Sequence, residues 1–118
     1  YVIFSEGALQ MALYYNVKGS SVSGGQETTE LIAPGVSKSP ISHVQLTNTQ
    51  DTADVTATLF IQDDPTSGTT STYKIINLVV IPAGSSLSLD NPRMFAFSST
   101  YGLYITVGSS DTIDVMIN

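Results

Sequence analysis

Apolar and polar residues alternate along most of the chain. In Val55–Gln62, Val55, Ala57, Leu59 and Ile61 fall on one side and Thr56, Thr58, Phe60 and Gln62 on the other. That is the period of a half-buried strand, whose successive side chains point to opposite faces. Ile41–Thr49 sets Val44 and Leu46 against His43, Gln45 and Thr47. In Glu6–Val17, Leu9, Met11, Leu13, Tyr15 and Val17 alternate with Ala8, Gln10, Ala12, Tyr14 and Asn16; period two fits better than 3.6 and predicts a strand. Thr29–Ala33, Ser85–Leu89 and Met94–Phe97 read as shorter strands. Leu103, Ile105 and Val107 are predicted to pair with Ile113, Val115 and Ile117 as a hairpin across Gly108-Ser109-Ser110-Asp111. Thr72–Ile81 is the longest apolar run. Tyr73, Ile75, Asn77, Val79 and Ile81 lie on one side, and Lys74, Ile76, Leu78 and Val80 on the other. Both sides are apolar, which predicts one face against the core and the other against a second sheet or a partner chain.

Turn chemistry separates these runs: the Gly/Ser-rich loop Lys18–Thr29, Pro34-Gly35, Asn48–Asp54, Asp63–Gly68, Pro82-Ala83-Gly84 and Asp90-Asn91-Pro92. Eight to ten short strands at this spacing, with no βαβ rhythm, predict an all-β fold. The expected architecture is an antiparallel β-sandwich, Ig-like or jelly-roll. It forms one domain over residues 1–118, with an N-terminal arm at residues 1–5. The chain begins at Tyr1 rather than Met, which reads as a segment lacking its start, and Tyr1-Val2-Ile3-Phe4 is too short for a signal-peptide core.

Composition narrows the function classes. Charged residues are 12% of the chain, about half the usual share, and Ser and Thr fill 30 of 118 positions. A coiled coil and a disordered acidic tail are both excluded, the first by the scarcity of Glu and Lys, the second by the abundance of Val and Ile. No apolar run is long enough for a membrane helix. The net charge is −6, and Lys18, Lys38, Lys74 and Arg93 are too few and too scattered to neutralise phosphates. Nucleic acid and anionic membrane surfaces are therefore not expected partners. There is no cysteine, hence no disulfide or thiolate chemistry.

Candidate reactive groups are sparse. His43 is the one histidine, placed on the outer side of a strand, and the G-x-S-x-G signature of a serine nucleophile is absent. Carboxylates pair at Asp51/Asp54, Asp63/Asp64 and Asp111/Asp114. None fits a calcium-loop pattern, and all six are expected in polar turns, where Asp bonds the local backbone. Ser23-Gly24-Gly25-Gln26 lacks the spacing and the lysine of a phosphate loop. Tyr14, Tyr15, Tyr101 and Tyr104 could stack on sugars, although tyrosines in a sandwich more often pack the ring and wet the hydroxyl. No catalytic residue, cofactor or metal site is assigned.

One succession of segments carries a resemblance: Thr47-Asn48-Thr49, Ala53–Ile61, Tyr73-Lys74-Ile75-Ile76, then Val80-Ile81-Pro82-Ala83-Gly84-Ser85-Ser86-Leu87, Tyr101–Ile105 and Ile113–Ile117. Over about residues 41–118 this order resembles small virion structural proteins of tailed bacteriophages, marine and cyanobacterial phages in particular. The resemblance implies a non-enzymatic particle component, foremost a capsid decoration or cement protein bridging capsid subunits. The alternative is a tail, baseplate or fibre-associated module, one that could touch host glycans. It further implies the virion as location, the major capsid protein or other virion proteins as partners, and a homo-oligomer, guessed as a trimer on local three-fold axes. The candidate contact residues are Tyr1, Val2, Ile3 and Phe4, the Lys18–Thr29 loop, and Tyr73, Ile76, Leu78 and Val80.

Overall fold

The structure, a computed structural model, describes residues 12–22, 27–35, 41–63 and 70–118. Eight strands follow in order: β1 (Leu13–Lys18), β2 (Glu27–Ile32), β3 (Val44–Asn48), β4 (Val55–Asp63), β5 (Thr72–Ile81), β6 (Ser86–Leu89), β7 (Tyr101–Val107) and β8 (Thr112–Ile117). They build two four-stranded antiparallel sheets, ordered β1-β8-β3-β6 and β2-β7-β4-β5. The pairs β1·β8, β2·β7, β3·β6 and β4·β5 are those of one long hairpin rolled over on itself. That is the jelly roll, and it replaces the Ig-like alternative. No helix among the described residues is long and apolar enough to cross a membrane.

The period-two pattern produces this fold because each strand has one apolar face to bury. Val17, Val44, Leu46, Ile113, Val115 and Ile117 of the first sheet are each no more than 2% exposed. They meet Val55, Ala57, Leu59, Ile81, Leu103, Ile105 and Val107 of the second, buried to the same degree. Each fully buried aliphatic side chain of this size contributes about 1.5–3 kcal/mol relative to exposure. Among the described residues no buried side-chain nitrogen or oxygen lacks a hydrogen-bond partner.

The expected hairpin between Leu103–Val107 and Ile113–Ile117 does not form. β7 pairs with β2 and β4, whereas β8 pairs with β1 and β3. The apolar sets of the two strands face each other across the core instead of lying side by side. Residues 108–111 arch from one sheet to the other. Gly108 donates its N–H to the Thr56 carbonyl at 3.0 Å, and Ser110 takes a left-handed φ of 66°. Met94–Phe97 is not a strand either. Pro92–Phe95 forms a 3-10 turn, with the Asn91 side chain accepting from the Arg93 N–H at 3.0 Å and Phe95 buried. Pro at the first helical position and Asn at the cap favour that turn. The predicted strand Glu6–Val17 is seen as β1; residues 1–11 lie outside the described residues.

At one end of the sandwich, two turns are locked together by a buried asparagine. Asn48 is 1% exposed and its inward amide makes three bonds. Nδ2 donates to the carbonyls of Ala53 (2.9 Å) and Ile81 (3.0 Å), and Oδ1 accepts from the Gln50 N–H (2.9 Å). The Pro82-Ala83-Gly84 turn closes against it. Gly84, at φ 70°, donates to the Gln50 carbonyl, Ala83 donates to Asp54 Oδ1, and Asn48 donates its own N–H to the Ser85 carbonyl. The segments Thr47–Thr49 and Pro82–Gly84 thus meet as one structural clamp.

The open flank between β1 and β2 is bridged by Tyr15, whose hydroxyl donates to the Leu31 carbonyl. Burial, and after it the nearby Glu30 carboxylate, push the Tyr15 phenol above the ordinary tyrosine range.

Candidate functional site

Rows of side chains cross the outer face of the β2-β7-β4-β5 sheet in register. One row is threonine: Thr28 faces Thr106, which faces Thr58, and the Thr28 and Thr106 hydroxyls lie 3.1 Å apart. The next runs Glu30, Tyr104, Phe60, Lys74. The Tyr104 hydroxyl donates to Glu30 Oε2 at 3.1 Å, and its ring stacks on Phe60 with centroids 5.7 Å apart and planes 16° from parallel. Tyr104 is buried and Phe60 half-buried, so of the two stacked rings Phe60 is the more open to solvent. In the row beyond, Gln62 Nε2 donates to the Thr72 hydroxyl at 3.0 Å.

The edge strand β5 turns this face into a groove. Its register against β4 slips twice, between Ala57 and Leu59 and again between Leu59 and Phe60, so that two residues of β5 are inserted as bulges. The first bulge carries Leu78 at φ 53°, and its N–H is held by the Thr58 hydroxyl at 3.0 Å. Bulges bend the strand and increase its twist, and they also blunt an edge against uncontrolled pairing. A left-handed leucine costs about 1–2 kcal/mol, and Leu78 is 62% exposed, so burial does not offset that cost. The bulge and the Gly108-Ser109 arch stand as walls around a concavity of about 590 Å³.

The candidate contact residues fare differently. Tyr1, Val2, Ile3 and Phe4 lie outside the described residues, as does part of the Lys18–Thr29 loop. Tyr73 and Val80 are 58% and 55% exposed on β5. Ile76 does not share their exposure: it stands opposite Leu59 and packs against the core. The strict alternation expected along Thr72–Ile81 fails because each bulge reverses the side on which the following residues point. Leu78 belongs to the groove wall. On the opposite sheet Tyr14 (70% exposed) sits directly across from Met116 (38%).

The carboxylates serve the backbone. Asp54, Asp63 and Asp111 accept from the N–H groups of Ala83, Ser71 and Thr56, at 3.3, 2.8 and 3.3 Å. Asp63, the last residue of β4, and Asp114 depart from the expectation of six turn residues, and Asp64 lies outside the described residues. Asp114 lies within β8 and accepts from Asn16 Nδ2 at 2.6 Å. His43 is half-buried beside β3 and exchanges backbone bonds with Asn118. Among the described residues no three His, Asp or Glu side chains gather closely enough to hold a metal ion. The four tyrosines considered for stacking are not brought together. Tyr14 is on the outer face of one sheet and Tyr104 on that of the other, Tyr15 seals the flank, and Tyr101 packs on Tyr73 with centroids 5.9 Å apart. The groove was partly legible beforehand, in the outward set Thr56, Thr58, Phe60 and Gln62. Its other wall comes from strands that only the topology brings near.

No protein-family model matches the chain, and no curated protein sequence matches it.

Proposed function

We propose that the chain is a non-enzymatic structural component of a tailed-phage particle, a head decoration protein that grips assembled capsid subunits. The observation that carries this reading is where its apolar surface lies. In a chain with few charges, Tyr73 and Val80 on the β5 edge and Tyr14 beside Met116 on the opposite sheet stand open to solvent. Exposed apolar side chains on a rigid scaffold offer anchors that another protein surface can bury. The jelly roll is itself a recurrent capsid architecture, and Glu30, Asp54, Asp63, Asp111 and Asp114 are each bonded to backbone or a neighbouring side chain. A protein that binds the assembled shell and not its dissociated subunits stabilises the shell by mass action. Several copies, three around a local axis in the simplest arrangement, add avidity.

The test is add-back to phage heads that lack the protein. Wild-type chain is expected to bind the heads and raise the temperature at which the shell opens. The double variant Tyr73→Ser, Val80→Ser is expected to bind at least about tenfold more weakly, since each apolar anchor buried on docking is worth more than 1 kcal/mol. Heads that neither bind the chain nor gain thermal tolerance would overturn the reading.

A further inference from the structure

We propose that the groove on the outer face of the β2-β7-β4-β5 sheet binds an uncharged oligosaccharide, with one sugar ring laid on Phe60. This does not depend on the docking role of Tyr73 and Val80, neither of which lines the groove.

The lining selects the ligand class. The groove holds five threonine hydroxyls, Thr28, Thr56, Thr58, Thr72 and Thr106, with the amides of Gln62 and Asn77. A hydroxyl offers one donor and two acceptor positions, and a primary amide offers both functions as well. The bonds already made, such as Thr28 to Thr106 or Gln62 to Thr72, leave further capacity on each group. A surface that both donates and accepts at close spacing complements a polyol, whose hydroxyls do the same. In the middle lies a flat apolar patch, the Phe60 ring, braced from behind by Tyr104. A sugar presents C–H groups on its ring faces and hydroxyls on its rim, matching an aromatic centre with a polar surround.

Other occupants fit less well. Lys74 is the one charged residue of the lining, and a single cation does not neutralise a polyanion against a net charge of −6 on the chain. A peptide strand finds no free backbone to pair with on the face of a sheet, where the ladder bonds are already made. The strongest single pointer is Leu78. It is held in the left-handed region with its side chain exposed in the groove wall, where glycine would be unstrained. Strain retained at an exposed position, where the side chain adds nothing to the core, points to a use for that side chain. Here the use is an apolar wall against the bound ring.

The experiment is a screen of the purified chain against an array of neutral and acidic oligosaccharides, followed by titration of the best neutral hexasaccharide. Wild type is expected to bind neutral glycans. Phe60→Ala is expected to weaken binding by about tenfold or more, as for loss of a central aromatic contact. Because removing Phe60 uncovers Tyr104, Leu78→Gly serves as the second variant. It relieves the strained backbone, so the thermal midpoint should hold or rise while binding falls about fivefold or more. No binding to any neutral glycan, a preference for acidic ones, or wild-type affinity in a folded Leu78→Gly variant would each overturn the proposal. None of these outcomes bears on head binding, which rests on Tyr73 and Val80.

Discussion

Asn48→Ala is expected to lower the stability of the domain by about 3–5 kcal/mol, with only a few atoms removed. The estimate follows from the groups the amide leaves behind. Ile81 loses its partner at 3.0 Å, the Gln50 N–H loses its acceptor at 2.9 Å, and Ala53 keeps only the longer bond from Gln50 Nε2 at 3.2 Å. A buried polar group stripped of its partner costs about 1–3 kcal/mol, and two are stripped at once, in a site where the side chain itself is 1% exposed. Domains of this size are stable by only about 5–15 kcal/mol. The variant should therefore melt roughly 12–20 °C lower, and urea unfolding should give the same loss. Asp114→Ala, which removes an exposed bond to Asn16, should stay within about 0.5 kcal/mol. An Asn48→Ala loss below about 1 kcal/mol would show that the two turns do not depend on this side chain.

Gly19→Ala is the second large effect. The chain leaving β1 runs against the arch between β7 and β8, and a Cβ at residue 19 would lie 1.9 Å from the Gly108 carbonyl oxygen and 3.2 Å from that of Val107. Both are backbone atoms, so no rotamer change relieves the overlap. The two segments must separate. That strains the bonds joining them, from the Gly19 N–H to the Asp111 carbonyl and from the Ser110 N–H to the Ser20 carbonyl, each 2.8 Å. Overpacking of this kind costs about 1–3 kcal/mol and the weakened bonds add to it, so a loss of about 2–4 kcal/mol is expected in thermal or urea unfolding. Gly84→Ala is the comparison. Gly84 has a φ of 70° and nothing within 4 Å of an added Cβ, so only the backbone conformation is penalised, by about 1–2 kcal/mol. Equal losses at the two positions would contradict the close approach of β1 to the arch.

Strand β4 and its inward set Val55, Ala57, Leu59 and Ile61 were legible because one face is buried and the other is polar, and a slip of one residue would invert both. The bounds of β5 were also legible, but not its faces, since they are set by two bulges, the first held by a cross-strand bond from the Leu78 N–H to the Thr58 hydroxyl. Pairing was harder. Leu103–Val107 and Ile113–Ile117 have the same alternating pattern whether they lie side by side or face to face across a core, and a four-residue connector serves either. Only the closure of β8 between β1 and β3 decides it. The Asn91-Pro92 signal for a 3-10 turn was present in the chain and outweighed by the apolar residues after it. Of the groove, the outward residues of β4 could be listed, whereas their partners Thr28 and Thr106 come from strands far apart in sequence. The segments Thr47-Asn48-Thr49 and Pro82-Ala83-Gly84 are parts of one clamp, a pairing that the turn chemistry of each could not reveal, because it is made by the Asn48 side chain across 33 residues of chain.

The most direct measurement is the copy number of this chain in purified particles separated into heads and tails. A decoration protein predicts many copies, in fixed proportion to the major capsid protein and confined to heads with an assembled shell. A few copies restricted to tails, or none in either fraction, would contradict the account.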